Sequence, residues 1–273
     1  MPLSIPDSHI ALSKSFRSAT PFPHIVLNNL LENPLNVAKS FPDKHWENWK
    51  ALGDSYQKNK FMCSNFLLFP EALKEVVTEF SQPNFLMFLE QLSGIKRLIP
   101  DPYLEGGGLH FSTAEGILAP HTDFHIYEKL GLYRRINLIL YLNENWREGD
   151  GGELELSHKN NPDSVTRIAP TLGTVVIFET DDNSVHGFRN PVRESTERAS
   201  VALYYYTSEE TGHFGGDQTT HWKEHGVISK RSRPRFFVFK VLLKISRFFS
   251  ICAQVINPNQ GIGLIKWKLR QKR

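Results

Sequence analysis

The apolar residues of this chain follow two rhythms. Between about residues 20 and 97 they recur every third or fourth position. "PEALKEVVTEF" (residues 70–80) opens on a proline suited to a helix start, and "NFLMFLEQLSGI" (residues 84–95) closes at Gly94. That spacing lines one face of a 3.6-residue turn, so both read as amphipathic helices. "NPLNVAKSFP" predicts a shorter helix stopped by prolines at both ends. "PFPHIVLNNLL" alternates weakly and predicts a first strand, whereas the opening twenty residues read as loosely structured.

From Leu98 the period shortens to two. "RINLILYLN", "GELELS", "TVVIFET" and "SVALYYYT" are short alternating or β-branched runs, separated by "EGDGG", "KNNPDS" and "TDDNS". Those separators are turn chemistry. Short strands at this spacing predict a sandwich, jelly roll or barrel, and helices gathered before them predict a mainly β (α+β) fold with helices laid on one face. The chain divides into a strand-and-helix cap of the same domain (1–97), a β core (98–229) and a tail (230–273).

Composition permits this: 40% of 273 residues are hydrophobic, enough for a sizeable core. Cys63 and Cys252 stand far apart, which argues against a disulfide framework or zinc finger and fits a reducing compartment. The start lacks a continuous apolar stretch of the signal-peptide kind, and no uncharged apolar run reaches roughly 18 residues. The expectation is a cytoplasmic protein. Charge sets the tail apart. Residues 1–229 hold 20 Lys+Arg and all 29 Asp+Glu, a formal −9, while residues 230–273 hold 12 Lys+Arg and no acid.

The candidate chemistry begins in "APHTDFHIY". His121 and Asp123 are two apart, so on extended backbone they point the same way and can converge on one ion. His186, after the run "TVVIFET", offers a third ligand. Two histidines and one carboxylate form the facial triad that holds non-haem Fe(II) and leaves positions open. Twelve residues later comes Arg198, sharing a strand face with Ser200, Ala202 and Tyr204. A guanidinium inside a barrel calls for an anion, and a carboxylate is its bidentate match; the bland alternative is a structural ion pair with Glu179. In "RINLILYLN", Ile136, Leu138, Leu140 and Leu142 read as the helix-packing side, which leaves Asn137 and Tyr141 facing the cavity. Tyr141 is otherwise a core aromatic. These residues describe a site for a dicarboxylic acid that chelates iron at one end.

The sequence here resembles the iron(II)- and 2-oxoglutarate-dependent dioxygenases, in their prolyl-4-hydroxylase-like branch. The matching text is "PHTDF", "RRINLILYLNENW", "GDGGELEL", "GTVVIFET", "HGFRNPV" and "RASVALYYYT", in the family's order, over roughly residues 20 to 207. The resemblance implies a double-stranded β-helix (jelly roll), with His121, Asp123 and His186 binding Fe(II). It implies Arg198 on the distal carboxylate of 2-oxoglutarate, with Tyr141, Ser200 and Asn137 beside it. O2 is the second co-substrate, ascorbate the expected reductant, and succinate and CO2 the by-products. Asp123 separates the chain from related halogenases, which leave that position to chloride, and so points to hydroxylation of a small molecule, glycan or peptide. Many relatives carry a tyrosine about ten residues before the first histidine; here that residue is Phe111, with His110 adjacent as a substitute. His125 and Arg134 are further candidates for the substrate. A solvated turn histidine and, for Arg134 and Arg135, edge charges are the alternatives.

Other motifs weigh less. "EGGGLH" lacks the Lys-Ser/Thr of a phosphate loop and reads as a tight turn. "HWKEH" (221–225) fits a zinc-peptidase pattern, but no acidic residue follows Glu224 to complete it. In the tail, Lys240, Lys244 and Arg247 are spaced four and three apart and form one helical stripe beside a wide apolar surface. Such a helix either packs on the core or lies on anionic lipid, making the protein peripheral at a membrane. Nucleic acid ranks lower, because the acidic body repels it. A non-catalytic jelly-roll module recruited by the tail is the competing function.

Overall fold

The computed structural model describes residues 3–6, 9–54, 56–194 and 196–209, the backbone of 221–222 and scattered positions between 238 and 256. The chain divides into two units, Met1–His225 and Gly226–Arg273. The first unit holds α1 (His9–Ser18), β1 (His24–Leu27), α2 (Pro34–Lys39), β2 (Lys50–Leu52), β3 (Gln57–Cys63), α3 (Glu71–Glu79) and α4 (Pro83–Ser93). There follow β4 (Ile99–Pro100), β5 (Gly108–Thr122), β6 (Ile126–Tyr127), β7 (Leu132–Tyr141), β8 (Leu154–His158) and β9 (Asn161–Ile168). The last strands are β10 (Val175–Glu179), β11 (Ser184–Phe188), β12 (Arg198–Thr207) and β13 (His221–Trp222).

The strands form one curled antiparallel sheet in the order β1-β10-β7-β12-β5-β11-β8-β9. Sequence neighbours are scattered across this order, as in a jelly roll. The fifteen-residue β5 bridges its two halves: it pairs β12 through its first part, β11 through its second and β3 through both. The expected division of β7 holds. Ile136, Leu138, Leu140 and Leu142 are buried in one cluster with Leu73 and Val76 of α3 and Phe85, Phe88 and Leu89 of α4. Those helical positions recur at three and four, so each helix turns one apolar stripe to the sheet. Gly94 ends α4 in a left-handed conformation (φ 82°).

Two expectations are corrected. The opening segment is not loose: α1 forms there and sinks Phe16 completely into the core. Burying one phenylalanine is worth about 2 kcal/mol, enough to anchor a helix this short. "KNNPDS" is not only a turn, since β9 begins inside it at Asn161. Pro162 is tolerated because β9 is an edge strand paired with β8 alone. The cap also contributes strands: β3 pairs β5, with β2 beyond it.

The β3–β5 pairing carries an irregularity. Lys58 lies opposite Ile117 and Lys60 opposite Ser112, so residues 113–116 are looped out against Asn59. Asn59 (φ 50°) and Glu115 (φ 62°) take left-handed backbone there. Side chains change face across the interruption. The residues turned to the site are Met62, Lys60 and Gln57 on β3, and His110, Leu118 and His121 on β5.

Candidate metal centre and its cavity

The curl of the sheet encloses a cavity of about 250 Å³ lined by His121, Asp123, His186, Arg134, Asn137, Arg198, Ser200, His110 and Lys60 among others. At one end stand His121, Asp123 and His186. All three are buried, with one ligand-type atom of each within 4.8 Å of the others. Pairing puts His121 of β5 opposite His186 of β11, and their ring centroids are 4.4 Å apart. Each ring is oriented from behind. His121 Nδ1 is 2.9 Å from the Ala119 carbonyl and His186 Nδ1 3.2 Å from the Ser184 carbonyl. A carbonyl fixes the proton on Nδ1 and turns the Nε2 lone pair inward, the tautomer a metal requires. The Nε2 atoms lie 3.5 and 3.3 Å from Asp123.

Asp123 is held ionised. Burial alone would push its carboxyl up, but Arg134 and His186 outweigh that and hold it well below the usual carboxylate range. The His121 ring is shifted down, first by burial and then by His186, so it is neutral at pH 7. Two imidazoles and one carboxylate, buried and convergent, fit a divalent iron by donor type.

Arg134 is not an entrance or edge charge. It is fully buried, its guanidinium 2.9 Å from Asp123 Oδ2 and 3.3 Å above the Tyr204 ring. Asn137 joins them: its Nδ2 donates to Asp123 Oδ2 (2.8 Å) and its Oδ1 accepts from Arg134 Nε (2.8 Å). Arg134 and Asn137 are three apart and would point oppositely on a regular strand. The register of β7 shifts between the partners of Tyr205 and Tyr206, which brings Arg134 round. Arg135 pairs instead with Glu179, the acid weighed for Arg198. His125 is neither solvated nor among the cavity lining. It is fully buried, with Nε2 2.8 Å from Asp182 Oδ1.

At the other end lies Arg198. Its Nε donates to the Gly152 carbonyl (2.7 Å), its Nη2 donates to Tyr141 Oη (3.0 Å), and its guanidinium lies 4.3 Å from the Phe188 ring centroid. It has no carboxylate partner among the described residues, and burial lowers its pKa. Gly152 is required here: at φ 74° a Cβ would come within 2.9 Å of Arg198 Cδ. Ser200 lines the cavity from the same face of β12. His110 also lines it, while Phe111 stacks on Trp49 (5.7 Å) in the core, so the histidine holds the inward position. Lys60 was missed by sequence reasoning: it ends the unbroken polar run "QKNK", which carries no alternation to say which residue turns inward. Of "HWKEH", residues 223–225 and the side chains of 221–222 lie outside the described residues, as does most of the loop 208–229.

Residues 107–206 match the family model of the 2OG-Fe(II) oxygenase superfamily. Among solved structures, a Pseudomonas putida prolyl-4-hydroxylase matches with a TM-score of 0.51 at 15% identity, covering 74% of this chain and 100% of that one. A Trichoplax adhaerens prolyl hydroxylase, solved with a peptide fragment of hypoxia inducible factor, matches at 0.50 and 15%, covering 72% and 88%. HygX from Streptomyces hygroscopicus, solved with nickel and 2-oxoglutarate, matches at 0.51 and 10%, covering 81% and 98%. At these identities the likenesses speak for the fold. Over residues 107–206 this chain is similar to the 2OG-Fe(II) oxygenase superfamily.

Proposed function

We propose that the protein hydroxylates a small-molecule, glycan or peptidyl substrate, using Fe(II) held by His121, Asp123 and His186 and 2-oxoglutarate held by Arg198, Tyr141 and Ser200. The observation that carries this reading is one cavity with two unlike ends. One end gathers three convergent ligand atoms; the other presents a buried guanidinium with no carboxylate of its own among the described residues. Iron and 2-oxoglutarate supply the oxidation: O2 is consumed, 2-oxoglutarate leaves as succinate and CO2, and a substrate C–H becomes C–OH. Ascorbate is the reductant we expect to keep the iron ferrous.

The chain's own part is orientation and dryness. Arg134 and Asn137 fix the carboxylate of Asp123 so that it meets the metal without rotating. Arg198 and the Tyr141 hydroxyl, its pKa raised by burial against the pull of Arg198, are set to receive a distal carboxylate. Phe178 and Phe188 press on His186 and Arg198 respectively and limit water. The test is succinate release from 2-oxoglutarate with added iron and ascorbate. His121→Ala should abolish it; full turnover in that variant overturns the ligand assignment. No observation favours the non-catalytic alternative.

For the tail we propose a peripheral contact with anionic membrane from the cytoplasmic side. Supporting it are exposed Val238, Leu242, Phe248 and Phe249 and the absence of any acid after Glu224. No helix of the described residues is long and apolar enough to cross a membrane. Co-sedimentation with anionic liposomes should weaken with salt. Equal binding after removal of residues 230–273 would exclude the tail as the anchor.

A further inference from the structure

The cavity holds more positive charge than metal and co-substrate explain. Among the described residues its lining contains three cations, Arg134, Arg198 and Lys60, but a single carboxylate, Asp123. Arg134 is spent on Asp123. A divalent metal adds two charges, and 2-oxoglutarate, a dianion, removes two, one at the metal and one at Arg198. Two positive charges are then left over, one at the metal and one on Lys60.

Its position follows from register. Lys60 of β3 lies opposite Ser112 of β5, and Ser112 lies opposite Arg198 of β12. Across the same strands, Met62 lies opposite His110 and His110 opposite Ser200, which in turn lies opposite Tyr141 of β7. Arg198 therefore has Tyr141 on one flank and Lys60 two strands away on the other. The Lys60 ammonium has no hydrogen bond or ion pair with a described residue. Burial, and then repulsion from Arg198, lowers its pKa to about 8. Its neighbour on the cavity wall is also unsatisfied. His110 is about nine-tenths buried, and its Nε2 has no hydrogen-bond partner. Burial, then Lys60 and Arg198, holds it well below its ordinary pKa, while the Gly106 carbonyl engages the ring. A neutral ring bonded to a carbonyl keeps its proton on that side and leaves Nε2 as an acceptor.

We propose that Lys60 and His110 form the substrate's anchoring subsite, and that the substrate carries an anionic group, carboxylate or phosphate, with an O–H or N–H donor next to it. The anion meets the Lys60 ammonium and the donor meets His110 Nε2. Unpaired polar groups in a closed site are costly, and a ligand that satisfies both regains that cost as affinity and selectivity. This inference rests on the function proposed above, with Arg198 reserved for 2-oxoglutarate.

The test uses inorganic phosphate, which carries both an anionic oxygen and an O–H, on the full-length protein loaded with Mn(II) and N-oxalylglycine, a redox-inert isostere of 2-oxoglutarate. Paramagnetic relaxation of the ³¹P signal reports phosphate seated near the metal. We expect clear enhancement in the wild type, a drop of about tenfold in phosphate affinity in Lys60→Met, recovery in Lys60→Arg, and no change in Lys96→Met on the surface. His110→Phe should weaken phosphate while leaving N-oxalylglycine binding unchanged. The proposal is overturned if phosphate shows no enhancement, or equal enhancement in wild type and Lys60→Met, which would mean an adventitious ion only. It is also overturned if Lys60→Met loses N-oxalylglycine, which would assign Lys60 to the co-substrate. A wild type that takes up neither Mn(II) nor N-oxalylglycine overturns the proposed function and this inference together, and is recognised because loading fails before phosphate is added.

Discussion

Arg134 and Arg198 are both buried guanidiniums in one cavity, yet their surroundings differ in kind. Arg134 sits between a carboxylate, an amide oxygen and the face of Tyr204. Arg198 has a carbonyl, a phenol and aromatic rings, but no anion among the described residues. A cation whose charge is already balanced holds other groups in place. A cation left unbalanced and preorganised is a receptor, because the missing charge must come from a ligand.

That contrast breaks if the two arginines respond alike to removal. Arg134→Met leaves Asp123 charged and unpaired, so urea unfolding should show a loss of about 3–5 kcal/mol, with metal affinity down about 10–100-fold. Arg198→Met removes a charge with nothing to balance it. Its stability should stay within about 1 kcal/mol of wild type or rise, while the KM for 2-oxoglutarate climbs about 100-fold. Acid titration sharpens the contrast on the receptor side. His110 is held well below its ordinary value by burial, Lys60 and Arg198. Below about pH 6.5 the unfolded chain therefore takes up a proton that the folded chain refuses. Stability of the metal-free protein should be fully present above that pH and fall below it, by at most about 1.4 kcal/mol per pH unit for this group. His121 shifts the same way and adds to the slope; His110→Phe should remove only the His110 share. The smallest effect belongs to Tyr141→Phe. It deletes the hydrogen bond that aims Arg198, worth about 1 kcal/mol, and should raise the 2-oxoglutarate KM about fivefold at unchanged stability.

What could be read in the sequence, and what could not, divides by backbone regularity. The amphipathic helices α3 and α4 and the two faces of β7 follow directly from period, because regular backbone turns spacing into direction. His121 and Asp123 were legible as a pair for the same reason, and His186 as a partner on a later strand. Residues beyond irregular backbone were not legible. Arg134 read as a substrate-facing entrance charge or an edge charge, because a shift in β7 register, which no period reveals, brings it fully inward onto Asp123. Lys60 looked unremarkable because residues 57–60 are all polar, and the left-handed Asn59 decides which of them faces the cavity. His110 could not be ranked over Phe111 until the loop at 113–116 fixed which of them points in. The α1 helix was missed for a different reason: its stability comes from Phe16 entering a core built mainly by later residues, which no local window contains.

The loop at 113–116 also has a mechanical consequence. It divides β5 into two rails that share β3: residues 108–112 lie between β3 and β12, and residues 117–122 pair β11, β13 and the start of β3. One rail carries the metal-facing imidazole and the other the histidine beside Lys60. A change of loop length would shift one rail relative to the other and reset its register on β3. The distance between the oxidising centre and the group that grips the substrate could thus be retuned by inserting or deleting a residue that touches neither.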